Sequence, residues 1–165
     1  MRPLQIYAAL TVLAIVTGCA SAENKLPDKV KEALDKAESF DLYSLDPMRG
    51  KGDKVPEGGF QGYKVLGKTI VKDADTRKKL VAALEKGIAE NKGEVAACFN
   101  PRHGIRVTHD GNTYDLVICF ECLSATVYAG DKADSNFLVT KSPQSAFNKV
   151  LTDAKVPLPK EPTDK

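Results

Sequence analysis

The sequence predicts an α+β domain in which a small antiparallel sheet carries helices packed mainly on one face. Three observations predict it. The periodicities run helix, strand, helix, three or more strands, helix, without the alternation that a parallel sheet needs. Asp110-Gly111 separates two strand-like runs, and a tight hairpin there requires the positive φ this dipeptide tolerates. Leu116-Val117-Ile118 is apolar without alternation, which marks a strand covered on both faces.

The elements follow in order. Pro27 opens the first helix, because its missing N–H costs nothing in the first turn. Val30, Leu34 and Ala37 follow at helical spacing, with Phe40 at the end. Residues 41–59 are rich in Gly, Pro, Asp and Lys and read as a loop, with a short extended piece at 42–45. Residues 60–72 read as strand, with Tyr63, Val65, Gly67 and Thr69 alternating against Leu66, Ile70 and their neighbours. Asp73 or Asp75 can cap a second helix that runs to Glu90. Leu80, Val81, Leu84 and Ile88 form its stripe, and Asn91 or Gly93 ends it. Residues 103–109, 112–120 and 123–129 have strand character, and 137–139 form a short strand. Ser142-Pro143 supplies an N-cap and first-turn proline for a last helix with Phe147, Val150, Leu151 and Ala154 inward. Residues 27–156 thus read as one domain, followed by a Pro- and Lys-rich tail at 157–165, expected to be extended and loosely ordered.

The N-terminal residues have another character. Arg2 supplies a positive start, residues 6–16 form an apolar run, and Gly18 stands directly before Cys19. This pattern is that of a secretory signal peptide, too short for a spanning helix and followed by no stop-transfer sequence. Val16-Thr17-Gly18-Cys19 resembles the lipobox of bacterial lipoproteins. The resemblance implies a signal peptide of residues 1–18, a covalent lipid on Cys19, and a tether over 19–26. The competing readings are ordinary secretion with cleavage near Ala20-Ser21-Ala22, or a buried apolar helix. A cysteine at this point has no packing purpose, which favours lipidation. The protein would then be membrane-anchored by lipid, facing the periplasm or the cell exterior. In a cell with two membranes, Ala20 after the lipid cysteine resembles the signal for outer-membrane delivery.

Removing residues 1–18 leaves 147 of the 165 residues, enough for one domain with a modest core. Lys and Arg fall from 24 to 23 against 22 Asp and Glu, so the mature chain carries a net charge of about +1. No concentrated basic excess marks a nucleic-acid partner. The lysines near both ends are interleaved with acids and read as solvated surface. The expected partners are the membrane, through the lipid, and an envelope protein whose identity the residues do not specify.

With Cys19 lipidated, three thiols remain: Cys98, Cys119 and Cys122. An exported compartment favours disulfides, yet three thiols cannot all pair within one chain. They occur in Cys98-Phe99-Asn100-Pro101-Arg102-His103 and in Ile118-Cys119-Phe120-Glu121-Cys122. A two-residue Asp110-Gly111 loop lays Arg102 opposite Cys119. A three-residue loop lays His103 opposite Cys119 and Asn100 opposite Cys122. Directly opposed side chains sit roughly 4.5–5.5 Å apart at Cβ, so either register makes the two stretches one unit.

Three readings of that unit compete. Cys98, His103, Cys119 and Cys122 form a Cys₃His set of the kind tetrahedral zinc accepts, with metal-deprotonated thiolates. Residues 119 and 122 differ in parity, so this set needs the strand to bend at Phe120-Glu121. Pro101 in the partner makes a bend possible by deleting a ladder donor. The second reading is a Cys98–Cys122 disulfide with Cys119 buried. A Cys119–Cys122 bridge is disfavoured on a regular strand, whose Cα spacing exceeds the roughly 4.4–6.8 Å a disulfide tolerates. A thioredoxin-type redox centre is weaker, because its cysteines sit at a helix start. In the third reading the cysteines are plain core, His103 bonds backbone, and Arg102 pairs with Glu121 or a nearby Asp. Disulfide and core together outweigh metal, and metal outweighs redox catalysis.

The two stretches resemble the paired motif of a group of uncharacterised bacterial lipoproteins, in which Cys-Phe-x-Pro-Arg-His precedes Ile-Cys-Phe-x-Cys. The resemblance covers residues 97–123 and brings no activity with it. No nucleophile elbow, His-Glu-x-x-His pair or phosphate-binding glycine loop is present, so no catalytic template points to an enzyme. Arg102 with His103 could bind an anion or transfer protons near neutral pH, without an evident nucleophile beyond the thiols.

Overall fold

In the computed structural model, which describes residues 24–48 and 57–160, the chain runs α1 (Asp28–Lys36), β1 (Phe40–Leu45), β2 (Val65–Val71), α2 (Ala74–Glu90), β3 (His103–His109), β4 (Asn112–Cys119), β5 (Ser124–Ala129), β6 (Lys132–Leu138) and α3 (Gln144–Asp153). The strands form one antiparallel sheet in the order β2-β1-β3-β4-β5-β6. This is the α+β fold with helices on one face that the sequence predicts. The stretch read as a signal peptide (1–18), Cys19 and residues 20–23 lie outside the described residues, as do residues 161–165 of the tail.

Strand periodicity separates two cores. Phe40 and Leu42 of β1, Ile105 and Val107 of β3, and Leu116 and Ile118 of β4 face the helices and join the large cluster. Val30 and Leu34 of α1, Leu84 and Ile88 of α2, and Phe147 and Leu151 of α3 complete it. The opposite parity holds Tyr43, Leu45 and Val117, which pack under Phe60 and Tyr63 of the connection before β2, with Phe99 beside them. Val117 and Ile118 are therefore buried on opposite faces of β4, which is why its apolar run does not alternate. Gly104 lies beneath the Phe60 ring, where a Cβ would fall 2.6 Å from Cε1.

His109 pairs with Asn112, so Asp110 and Gly111 form a two-residue turn with φ of 47° and 73°. Positive φ at both positions matches the right-handed twist of the flanking strands. In α2, Asp73 is the cap: its Oδ1 accepts from the Thr76 backbone N–H at 2.8 Å.

Several elements differ from the sequence reading. The short extended piece expected at 42–45 is strand β1 (Phe40–Leu45), which begins two residues earlier than expected and is paired on both edges and buried on both faces. Its six residues show too little alternation to announce the full strand, and the burial comes from its neighbours. Residues 60–63 do not belong to the following strand: Gln61 (φ 48°) and Gly62 (φ 86°) turn the chain so that Phe60 bridges to Tyr63. β6 is a full edge strand beginning at Lys132, whose polar exposed residues carry no hydrophobic pattern. Ser142 does not cap α3; its hydroxyl donates to Glu90 Oε2 at 2.7 Å, and Pro143 occupies the cap. The chain after α3 lies against the fold as far as Lys160, with Val156 buried and the Lys160 carbonyl accepting from Arg102 at 3.0 Å.

Candidate thiol cluster at the sheet end

β4 stops at Cys119, which pairs with Ser124 of β5, so residues 120–123 close a four-residue loop. Leu123 makes the reversal by taking φ of 59°, an uncommon conformation for a side chain of its size. The loop folds Cys122 back onto the strand end. The Cys119 and Cys122 Cα atoms are 5.2 Å apart, and the Cys122 backbone N–H donates to Cys119 Sγ at 3.0 Å. The bar to a Cys119–Cys122 contact holds for a continuous strand, and it lapses here because the strand has ended.

Cys98 arrives from the connection between α2 and β3. The Ala96 N–H donates to the Cys122 carbonyl at 3.1 Å, and the Asn100 N–H donates to Cys122 Sγ at 3.3 Å. Cys98 and Cys122 Cα atoms are 5.6 Å apart. Both Cα separations fall within the disulfide range, and Cys122 Sγ is in bonding contact with Cys98 Sγ and with Cys119 Sγ. Cys119 and Cys122 are buried, whereas Cys98 is exposed.

His103 stands apart from this cluster. The two-residue turn pairs it with Ile118, one position before Cys119, and so places it on the helix-covered face. Its ring packs against Phe120 and Phe147, at centroid distances of 5.1 and 5.9 Å, and its Nε2 lies 2.8 Å from Asn148 Oδ1 of α3. The Cys98, His103, Cys119 and Cys122 zinc set is therefore not assembled. Among the described residues, no group of three or more His, Cys, Asp or Glu is placed to hold a metal ion. Arg102 is buried, with Nη2 3.5 Å from Glu121 Oε2, the pairing expected of a structural role.

Sequence reasoning missed two features near these residues. Asn148 holds the imidazole, but a polar residue within the last helix carries no signal that it points inward. Ser44 lies directly across the β1–β3 ladder from His103. Ser44 Oγ and His103 Nδ1 are buried without a hydrogen-bond partner among the described residues. A further buried polar group lies on the opposite face: Asp115 receives Arg106 Nε at 2.7 Å and Nη2 at 2.6 Å, and Gln61 Nε2 at 2.8 Å.

Burial pulls the His103 pKa from the ordinary 6.5 down to about 4; the hydrogen bond to Asn148 opposes the shift and the positive Arg102 adds to it. The folded protein keeps this imidazole neutral where the unfolded chain would protonate it. Stability from this source is thus fully present above about pH 6.5 and is lost as the pH falls toward 4, by about 3 kcal/mol. Urea unfolding near pH 7.5 and pH 4 should show a smaller acid loss for His103→Gln than for the wild type. Equal losses in both proteins would refute the assignment.

A groove of about 610 Å³ lies between the β2 edge and the helices α2 and α3, lined in part by Ile70, Leu80 and Val150. It is lined by none of the three cysteines and by neither histidine. The chain matches no known protein family, no curated protein and no solved structure.

Proposed function

We propose that this protein is a bacterial envelope lipoprotein whose lipid on Cys19 holds a small binding or structural α+β domain at the membrane surface. The observation that carries this reading is the Val16-Thr17-Gly18-Cys19 pattern, which stands only five positions before Asn24, a residue bonded into the domain. Asn24 Nδ2 donates to the carbonyls of Ile88 and Leu138, each at 3.1 Å, and its Oδ1 accepts from the Leu138 N–H at 2.8 Å. One side chain thereby joins the end of α2 to the end of the β6 edge strand. Leu26 follows into the helix-side core. Five residue steps separate Cys19 from Asn24, at most about 18 Å of extended chain. A lipid at Cys19 would therefore keep the α2 and β6 ends of the domain close to the bilayer. No helix among the described residues is long and apolar enough to cross a membrane, so in this reading attachment rests on acyl chains, of which more than one is needed to hold firmly.

Fractionation tests it. Wild-type protein should pellet with membranes after a carbonate wash and incorporate labelled palmitate. Cys19→Ala should move to the soluble fraction and take up no label. Cys19→Ala protein that still pellets after the wash would overturn the reading.

A further inference from the structure

We propose that Cys98, Cys119 and Cys122 form a thiol–disulfide exchange centre with Cys122 as the shared sulfur, and that its turnover releases Cys98 for reaction with a small-molecule disulfide. A divalent sulfur already bonded to its own Cβ can hold one further partner. Cys122 Sγ nevertheless meets both other sulfurs, with both Cα separations suited to a bridge. The oxidised domain thus has two single-bridge forms. One links Cys98 to Cys122 and leaves the buried Cys119 as a thiol. The other links Cys119 to Cys122 and leaves the exposed Cys98 as a thiol.

The forms interconvert without an external oxidant. Cys119 loses its proton to solvent and its thiolate attacks Cys122 Sγ; the Cys119–Cys122 bond forms as the Cys98–Cys122 bond breaks, and Cys98 leaves as a thiolate that takes up a proton. The donated N–H groups are suitably placed: Cys122 N–H points at Cys119 Sγ and Asn100 N–H at Cys122 Sγ, and such donors stabilise charge on sulfur. The released Cys98 thiolate then attacks a small-molecule disulfide, forming a mixed disulfide and expelling one thiolate of that molecule. Loss of the bridge also leaves the exposed chain around Val95 and Cys98 held by fewer bonds, among them Ala96 N–H to the Cys122 carbonyl. The odd cysteine acquires a use in this scheme: it is the attacking thiol.

The test uses the full chain carrying Cys19→Ala, which removes the remaining thiol and separates the outcome from lipidation. Protein equilibrated with excess oxidised glutathione at neutral pH is quenched in acid, digested at low pH and mapped by mass spectrometry. Both the Cys98–Cys122 and the Cys119–Cys122 linkages are expected, with glutathione on Cys98 confined to molecules carrying the second. Adding Cys119→Ser should leave the Cys98–Cys122 bridge and lower glutathione on Cys98 by about tenfold or more, because no attacking thiol remains. Adding Cys98→Ser should leave the Cys119–Cys122 bridge. Detection of only one linkage with all three cysteines present overturns the proposal, independently of how the variants fold. Equal modification of Cys98 with and without Cys119 overturns it as well.

Discussion

Replacing Cys122 by serine is expected to lower the stability of the domain by roughly 3–4 kcal/mol, the chain-entropy value for a loop of this length. The Cys98–Cys122 bridge closes a sequence separation of 24 residues, whereas Cys119–Cys122 closes only 3. The longer closure removes more freedom from the unfolded chain, so it dominates the effect. Cys122→Ser removes the sulfur that both alternative bridges need. Cys119→Ser leaves Cys98–Cys122 as the one bridge available and should retain the stability. Urea midpoints of the two variants, compared with wild type with and without reductant, separate the contributions. A Cys122→Ser midpoint equal to that of the oxidised wild type would mean that neither bridge holds the fold.

Replacing Phe147 by alanine is expected to cost about 3–5 kcal/mol, the range for truncating a large buried aromatic. Phe147 is fully buried on α3, and its ring meets Phe120 edge-on at 5.3 Å and His103 at 5.9 Å. It ties the last helix both to the loop that carries the thiols and to the β3 histidine. Its loss should also loosen the apolar enclosure that keeps His103 neutral. The His103 pKa, followed by NMR titration, should therefore rise from about 4 toward the ordinary 6.5. An unfolding free energy within about 1 kcal/mol of wild type would show that this aromatic cluster does not anchor the helix.

The elements with a local physical signature were legible in the residues. The Asp110-Gly111 turn, the stripe of α2 with Asp73 as one of its two candidate caps, and the doubly buried centre of β4 each announce themselves within a short window. β1 was legible only as a short extended piece at 42–45, and most of β6 was not legible. The six residues of β1 show little period, and a solvent-facing edge strand has no apolar face to repeat. The break between strands near residues 120–123 was read, but the tight turn that folds Cys122 back was hidden, since Leu123 is not a residue that signals positive φ.

The residues by themselves determined the α+β class, the pairing of the two cysteine-bearing stretches as one unit, and the odd number of thiols that unit contains. Only the tertiary structure decided which of its members meet. A strand's side chains alternate, so one residue more or less in the turn moves an entire set to the other face. The two-residue turn pairs His103 with Ile118 and sends it to the helices, where Asn148 and Phe147 receive it. The end of β4 at Cys119 lets the chain reverse, and the reversal brings Cys122 within reach of both other sulfurs. Residue types limited the possible chemistry to thiols and an imidazole. Register and a loop with no sequence signature joined the thiols and set the imidazole apart.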